Sequence, residues 1–270
     1  MERTMNIHKS ENERSSDIVT AVVANLLTKR VSYSRQLSLF PEEEFETSAT
    51  TNSEIIYEYE SVPTDTGIHN LNFMKKLEYS SHYSMPIVKP YNGDIPEYLV
   101  ALYRLQRATH IQKGVCPMFY TSDKNFEWVW DNVARSVKTL QRFEYTASTD
   151  FSVYADLNPN VQCFNILRNK VMAAIWQYYG LKVIPSVTWT TLKYIERDLD
   201  GWPTDSVILI NSTGIGHDAR AKAGFRDCYE AAIDILKPSF ILRYGARQEG
   251  EMAEISRYYP NNNKMFNLFR

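Results

Sequence analysis

The chain has 270 residues, 44% of them hydrophobic and 13% aromatic, enough apolar material for a sizeable core in one large domain with an arm or in two small domains. A formal charge of -2 supplies no overall basic field, which excludes a histone-like coat protein and requires any grip on nucleic acid to come from a local patch or a tether. Cys116, Cys163 and Cys228 are widely spaced with no Cys-x-x-Cys pair, against a disulfide framework or structural zinc and in favour of a reducing compartment.

Residues Met1 to Asp17 are charged and polar without a signal-peptide core, and no uninterrupted apolar run reaches the roughly 20 residues of a membrane span. A cytoplasmic protein with no membrane partner is expected. Ile18, Val19, Val22, Val23, Leu26 and Leu27 then follow helical spacing after Ser15, Ser16 and Asp17, which can cap a helix start. This short amphipathic helix could pack on the main domain or pair with a copy of itself.

Next comes Gln36-Leu37-Ser38-Leu39-Phe40, which resembles the peptide that bacterial replication and repair proteins dock on the sliding clamp of DNA polymerase. In that reading Leu39 and Phe40 fill an apolar pocket, Leu37 packs beside them, Ser38 spaces them and Gln36 bonds at the rim. Pro41, three glutamates and the polar run Thr47 to Ser53 would leave the peptide free to dock. The alternative is an edge strand or flap, since Leu37, Leu39 and Phe40 also show a period-two pattern. The expected organisation is an arm over residues 1–65 and a single α/β domain over 66–270.

From about residue 84, short apolar runs alternate with helical stretches. The runs are Met85 to Lys89, Val115 to Tyr120, Tyr145 to Tyr154, Val183 to Trp189, Ser206 to Ser212 and Ser239 to Tyr244. The helical patterns are Glu97 to Ala108, Phe126 to Phe143, Val161 to Tyr179, Thr191 to Leu199 and Ala219 to Leu236. Such βα alternation predicts a mostly parallel sheet with helices outside it. An incomplete or distorted barrel, with early strands hidden between Ile55 and Leu77, is the specific expectation; an open doubly wound sheet is the alternative.

Either architecture handles ligands at the carboxyl ends of its strands, where this sequence turns polar. The third run closes in Thr149-Asp150-Phe151-Ser152, the fourth in Ser186, Thr188 and Trp189, the fifth in Asn211-Ser212-Thr213-Gly214, the sixth in Arg243-Tyr244-Gly245. Asp150 could serve as general base, nucleophile or metal ligand, or it could cap a turn. Asp156, before Asn158-Pro159, reads as a turn residue.

On the helix from Val161, Phe164, Leu167, Val171 and Ile175 are expected on a buried face, with Asn165, Arg168 and Asn169 on another. Arg168 could clamp a phosphate or carboxylate through two parallel hydrogen bonds, or pair with Asp150 or Asp156. Ser212, Thr213, Gly214 and Gly216 leave a strand before a helix, where backbone amides can hold an anion, though neither the P-loop nor the dinucleotide fingerprint is present. The expected catalytic set is Asp150, Arg168 and Ser212, with Asn165, Thr188, Trp189, Thr213 and Tyr244 binding substrate. His8, His69, His82, His110 and His217 show no metal-ligand spacing, so no metal site is expected, and the sequence leaves any cofactor open.

Asp150-Phe151-Ser152, Asn165 to Arg168 and Ile184-Pro185-Ser186-Val187-Thr188-Trp189 resemble motifs of a phage and mobile-element family, domain of unknown function 4417. Asp200-Gly201-Trp202-Pro203, Ser206-Val207, Ser212-Thr213-Gly214, Lys237-Pro238 and Tyr244-Gly245 extend the resemblance over roughly Met118 to Ala246. Ser186 stands where the family more often has Thr or Pro, and Trp202 replaces a smaller apolar residue. The resemblance implies a home in phages or plasmids and names no reaction. The chain could be a DNA-metabolism protein tethered through the clamp, a non-enzymatic clamp-binding modulator of host replication, or a nucleotide-acting enzyme.

Overall fold

The computed structural model describes residues 68–260 apart from 107, 109–112, 155 and 216–217. The expected helix over Ile18 to Leu27, the Gln36 to Phe40 peptide, residues 55–67, Gly216, His8, His110 and His217 lie outside the described residues.

In chain order the elements are α1 (Leu71–Met74), β1 (Tyr98–Ala101), α2 (Leu102–Leu105), β2 (Val115–Met118), a 3-10 turn (Asp123–Asn125), α3 (Trp128–Asp131), α4 (Val133–Leu140), β3 (Thr146–Ala147) and α5 (Pro159–Tyr178). There follow β4 (Val183–Ile184), a second 3-10 turn (Leu192–Tyr194), α6 (Ile195–Leu199), β5 (Val207–Asn211), α7 (Ala219–Leu236), β6 (Phe240–Tyr244) and β7 (Ser256–Tyr259).

The two long helices carry their boundaries in the sequence. Asn158 accepts a bond from Asn160 N at 2.9 Å and Pro159 takes the first turn of α5, where its missing N–H costs nothing. Asp218 caps α7 by accepting from Ala221 N at 2.7 Å. That helix ends at Lys237, which turns left-handed (φ 44°) before Pro238 blocks continuation.

All named strands pair in parallel, in three small sheets: β1 with β2, β3 with β4, and β5-β6-β7. A parallel bridge from Ser186 to Leu209 continues the line of β4 along β5, with Leu209 N donating to Pro185 O at 2.8 Å and Val187 N to Leu209 O at 2.9 Å. The class is mixed α/β, and the ladders do not join into a closed barrel among the described residues.

Side chains alternate across each strand, so the ladders bury two faces. Val115, Val183, Ile208, Ile210 and Ile241 pack with the helices in one apolar cluster, around Phe119, Trp176 and Phe151. Cys116, Ala147, Ile184, Leu209 and Leu242 form a second cluster with Tyr91, Tyr145 and Tyr259.

Several elements depart from the expected pattern. The stretch Glu97 to Ala108 begins as strand β1 and only then becomes the one-turn helix α2. Phe126 to Phe143 breaks at Asn132, whose φ of -141° ends α3 and whose side chain caps α4 by accepting from Arg135 N. Met85 to Lys89 contributes an isolated antiparallel bridge, Pro86 to Tyr79, because its backbone also serves the turn at Gly201: Val88 N donates to Gly201 O at 2.9 Å. Gly201 sits at φ +80° against the Pro86 carbonyl, where a side chain would collide. Strand β7 has no counterpart among the expected runs, since Ser256-Arg257-Tyr258-Tyr259 offers no apolar stretch.

Candidate functional site

Helix α5 is buried almost all round from Ile166 to Trp176, and this includes Arg168, Asn169 and Lys170. Buried polar side chains need partners, and here they find them in the strand ends beside the helix. Asn169 accepts from Phe151 N at 2.7 Å and donates to Phe151 O at 3.3 Å; Asn165 donates to Ser152 O at 2.7 Å. The Arg168 guanidinium lies 3.6 Å from the Phe151 ring centroid and ion-pairs with Glu127. The sequence offers Asp150 or Asp156 as its structural partner; the observed one, Glu127, lies 41 residues upstream. Three side chains of one helix thus hold the backbone that carries Asp150.

The face of α5 also differs from the expected one. Val171 and Ile175 are buried, but Phe164 is 49% exposed and Leu167 only partly covered, because the polar anchors take the inward positions.

A second anchor fixes Thr190, two residues beyond Thr188. The fully buried Asp198 carboxylate accepts from Thr190 N at 2.8 Å and Thr190 Oγ1 at 2.5 Å, and pairs with Arg197 at 2.6 Å. Lys170, also fully buried, donates to the Asp198 carbonyl at 2.7 Å and lies over the Trp202 ring. Burial pushes its ammonium down to about 7, against the opposing pull of Asp198 and Asp200.

These anchored strand ends surround a cavity of about 580 Å³. Asp150, Thr188, Asn211 and Thr213 supply its polar groups, with Tyr120 and Trp189 among its aromatic walls. Asp150 Oδ1 accepts from Thr188 Oγ1 at 2.5 Å. Burial raises the Asp150 carboxyl to about 6; hydrogen bonds from Thr188 and Asn211 oppose that rise and the Asp123 charge adds to it. Asp123 is held in turn by Ser152, which donates from N at 3.2 Å and from Oγ at 2.9 Å. Tyr120 shares a 2.7 Å hydrogen bond with Ser186, and burial holds its phenol well above the usual value, so it stays protonated. Trp189 and Phe225 face each other at 5.5 Å on the far wall.

Of the expected site residues, Asp150, Thr188, Trp189 and Thr213 line this cavity. Asn165 and Arg168 stand behind it as supports. Ser212 is buried with its hydroxyl donating to Ala246 O at 2.6 Å, and Gly245 approaches so closely, at φ +101°, that a Cβ there would lie 2.8 Å from Ser212 Oγ. Tyr244 is buried behind Tyr120, their rings 5.3 Å apart. Tyr120, Ser122 and Phe225 join the lining without being among the expected residues. Tyr120 closes the second apolar run, so the strand-end rule reaches it; Phe225 comes from the middle of α7 and has no local signal.

The cavity places a carboxyl raised by burial beside neutral donors and two aromatic surfaces. Such a lining has the shape and chemistry that suit a planar polar ligand. Among the described residues no three His, Cys, Asp or Glu side chains gather as a metal site, and no helix is long and apolar enough to cross a membrane.

A family model described as domain of unknown function (DUF4417) matches residues 77–260. The Gene 1 protein of Mycobacterium phage L5 is 29% identical over 193 residues, covering 70% of this chain and 84% of the relative. The Gene 1 protein of Mycobacterium phage D29 is 28% identical over 177 residues, covering 65% of each chain. No solved structure matches.

Proposed function

The chain belongs to the DUF4417 family, and we propose that it is a phage-type protein of DNA metabolism whose cavity takes a nucleotide unit and whose Asp150 moves a proton there. The observation that carries this reading is the Asp150 carboxyl, raised by burial to about 6 on the wall of a 580 Å³ cavity. A group titrating near the working pH exchanges protons with least penalty in either direction. Ligand cavities commonly hold about 300–1,000 Å³, room enough for one nucleotide. Trp189 and Phe225 offer faces on which a base can stack, while Thr188, Asn211 and Thr213 offer hydrogen bonds to its edge.

In this reading the parallel strands form an incomplete barrel. Their ladders follow chain order, and both faces carry apolar clusters, whereas a doubly wound sheet reverses order at a switch point. Residues 1–65 act as a recruiting arm, with Gln36 to Phe40 as the handle for the bacterial sliding clamp. The near-neutral charge suits a protein that gains local concentration by tethering.

Replacing Leu39 and Phe40 together with Ala is expected to abolish the heat of binding to the sliding clamp in titration calorimetry, with the melting temperature unchanged. A large drop in melting temperature instead would identify the peptide as a flap on the domain. Asp150→Asn is expected to keep clamp binding and lose turnover of nucleotide or DNA substrates. If the Asp150→Asn chain binds clamp and blocks replication as well as its parent does, the protein is a modulator and the cavity is scaffold.

A further inference from the structure

A second concave surface lies away from the Asp150 cavity. It encloses about 340 Å³ and is lined by Gln106, Trp128, Arg135, Lys138, Thr139 and Arg142. No carboxylate lines it. The cations come from α4 and the turn after it, three and four residues apart, so successive helical turns bring them to one side. The opposite side of α4 is apolar and buried through Val133, Val137 and Leu140, which fixes the direction in which the cations point.

All three cations are exposed, and among the described residues none is ion-paired. Of the acids close in sequence, Asp131 faces His69 at 3.5 Å, Glu127 pairs with Arg168, and Glu144, two residues after Arg142, lines a different concavity with Asp94 and Lys113. The Arg135 guanidinium stacks 4.7 Å from the Trp128 ring centroid, and Arg142 donates to the Ala108 carbonyl. Both are thereby held in place without being neutralised. In a chain of net charge -2, this concentration of positive charge beside a half-buried indole departs from the rest of the composition.

The geometry points to a binding track for a single-stranded polynucleotide, its phosphates on Arg135, Lys138 and Arg142 and a base against the stacked Arg135–Trp128 pair. Charge complementarity selects a polyanion. The combination of cations with an aromatic platform selects an unpaired strand, whose bases are free to stack. Such a contact, which the net charge conceals, operates whether or not Asp150 is catalytic.

The test is fluorescence anisotropy with a labelled 20-nucleotide DNA strand, its RNA counterpart and the DNA duplex, using the full chain over a range of salt. The wild-type chain is expected to bind a single strand, DNA or RNA, more tightly than the duplex. Because each phosphate contact on a single strand contributes about -0.7 to the slope of log K against log salt, the triple variant R135Q/K138Q/R142Q is expected to flatten that slope by about 2 and weaken binding at least about tenfold. Exposed positions should tolerate Gln, and the single variant K138Q, with a slope change of about 0.7, serves if the triple variant does not fold. Unchanged binding by either folded variant, or a duplex bound as tightly as the strand, would overturn the proposal.

Discussion

Arg243→Met is expected to destabilise the protein by about 3–5 kcal/mol, the cost of leaving a buried charge without its partner. Arg243 and Glu251 each have 1% of their side-chain surface exposed. The guanidinium donates from Nε to Glu251 Oε1 at 2.8 Å and from Nη1 to the Ile210 carbonyl at 2.6 Å, and it lies 5.4 Å from the Phe225 ring centroid. Methionine fills the volume but leaves the Glu251 carboxylate in an apolar site. At about 2–4 °C per kcal/mol for a chain of this size, the melting temperature should fall by about 6–20 °C. A second substitution, Glu251→Leu, should restore most of the loss by removing the orphaned charge. Since Arg243 touches the ring of Phe225 and sits on β6 beside Asn211 and Tyr244, the single variant should also loosen one wall of the Asp150 cavity. Thermal unfolding of the single and double variants checks both statements; a double variant no more stable than the single one would show that the ion pair is not the source of the loss.

Asp150→Asn is expected to act in the opposite direction. The Asp150 carboxyl is raised from 3.8 to about 6, so the folded state holds the proton more tightly than the unfolded chain does. The stabilisation from that proton is complete below the unfolded value and is lost as pH rises through 6. A rise of this size corresponds to about 3 kcal/mol. The open side of the cavity and the weaker bond from Thr188 to a neutral amide reduce the gain, so the variant should exceed the parent by about 1–2 kcal/mol at pH 7.5. The difference should close between pH 6 and pH 4. Lys170 titrates with the opposite sign, but it is present in both proteins and cancels in the comparison. Denaturant unfolding from pH 4 to pH 8 reads the effect; a variant less stable than the parent at pH 7.5 would mean that the carboxylate serves the fold. A buried acid whose removal stabilises the chain is what a functional group retained at a cost to stability looks like.

The site is legible in the sequence where its chemistry is local. The helical patterns from Val161 and Ala219 place α5 and α7 within two residues of their starts at Pro159 and Ala219, where Asn158 and Asp218 cap them. The strand-end rule reaches Asp150, Thr188, Trp189 and Thr213, since a polar residue that closes an apolar run faces the end of the sheet. It misleads at Ser212, whose hydroxyl is occupied by the Ala246 carbonyl across a turn 34 residues away. Arg168 pairs with a residue 41 positions upstream, and no short-range pattern encodes such a partner. The inward face of α5 escapes a hydrophobicity pattern because buried polar residues read as surface, although here they anchor strand ends. Strand β1 reads as helix because Tyr98 to Leu105 suits either state, and pairing with Val115 to Met118 decides it.

The proposed proton exchange by Asp150 and the proposed nucleotide site can be followed by an NMR titration of the Asp150 side-chain carboxyl carbon, run alone and with each common nucleoside monophosphate. We expect a midpoint near pH 6 in the free protein, consistent with the burial of the group. At least one nucleotide should shift that midpoint while perturbing Thr188, Trp189 and Asn211. A midpoint near the ordinary aspartate value, with no nucleotide moving any resonance of the cavity, would refute both the acid–base role and the nucleotide site.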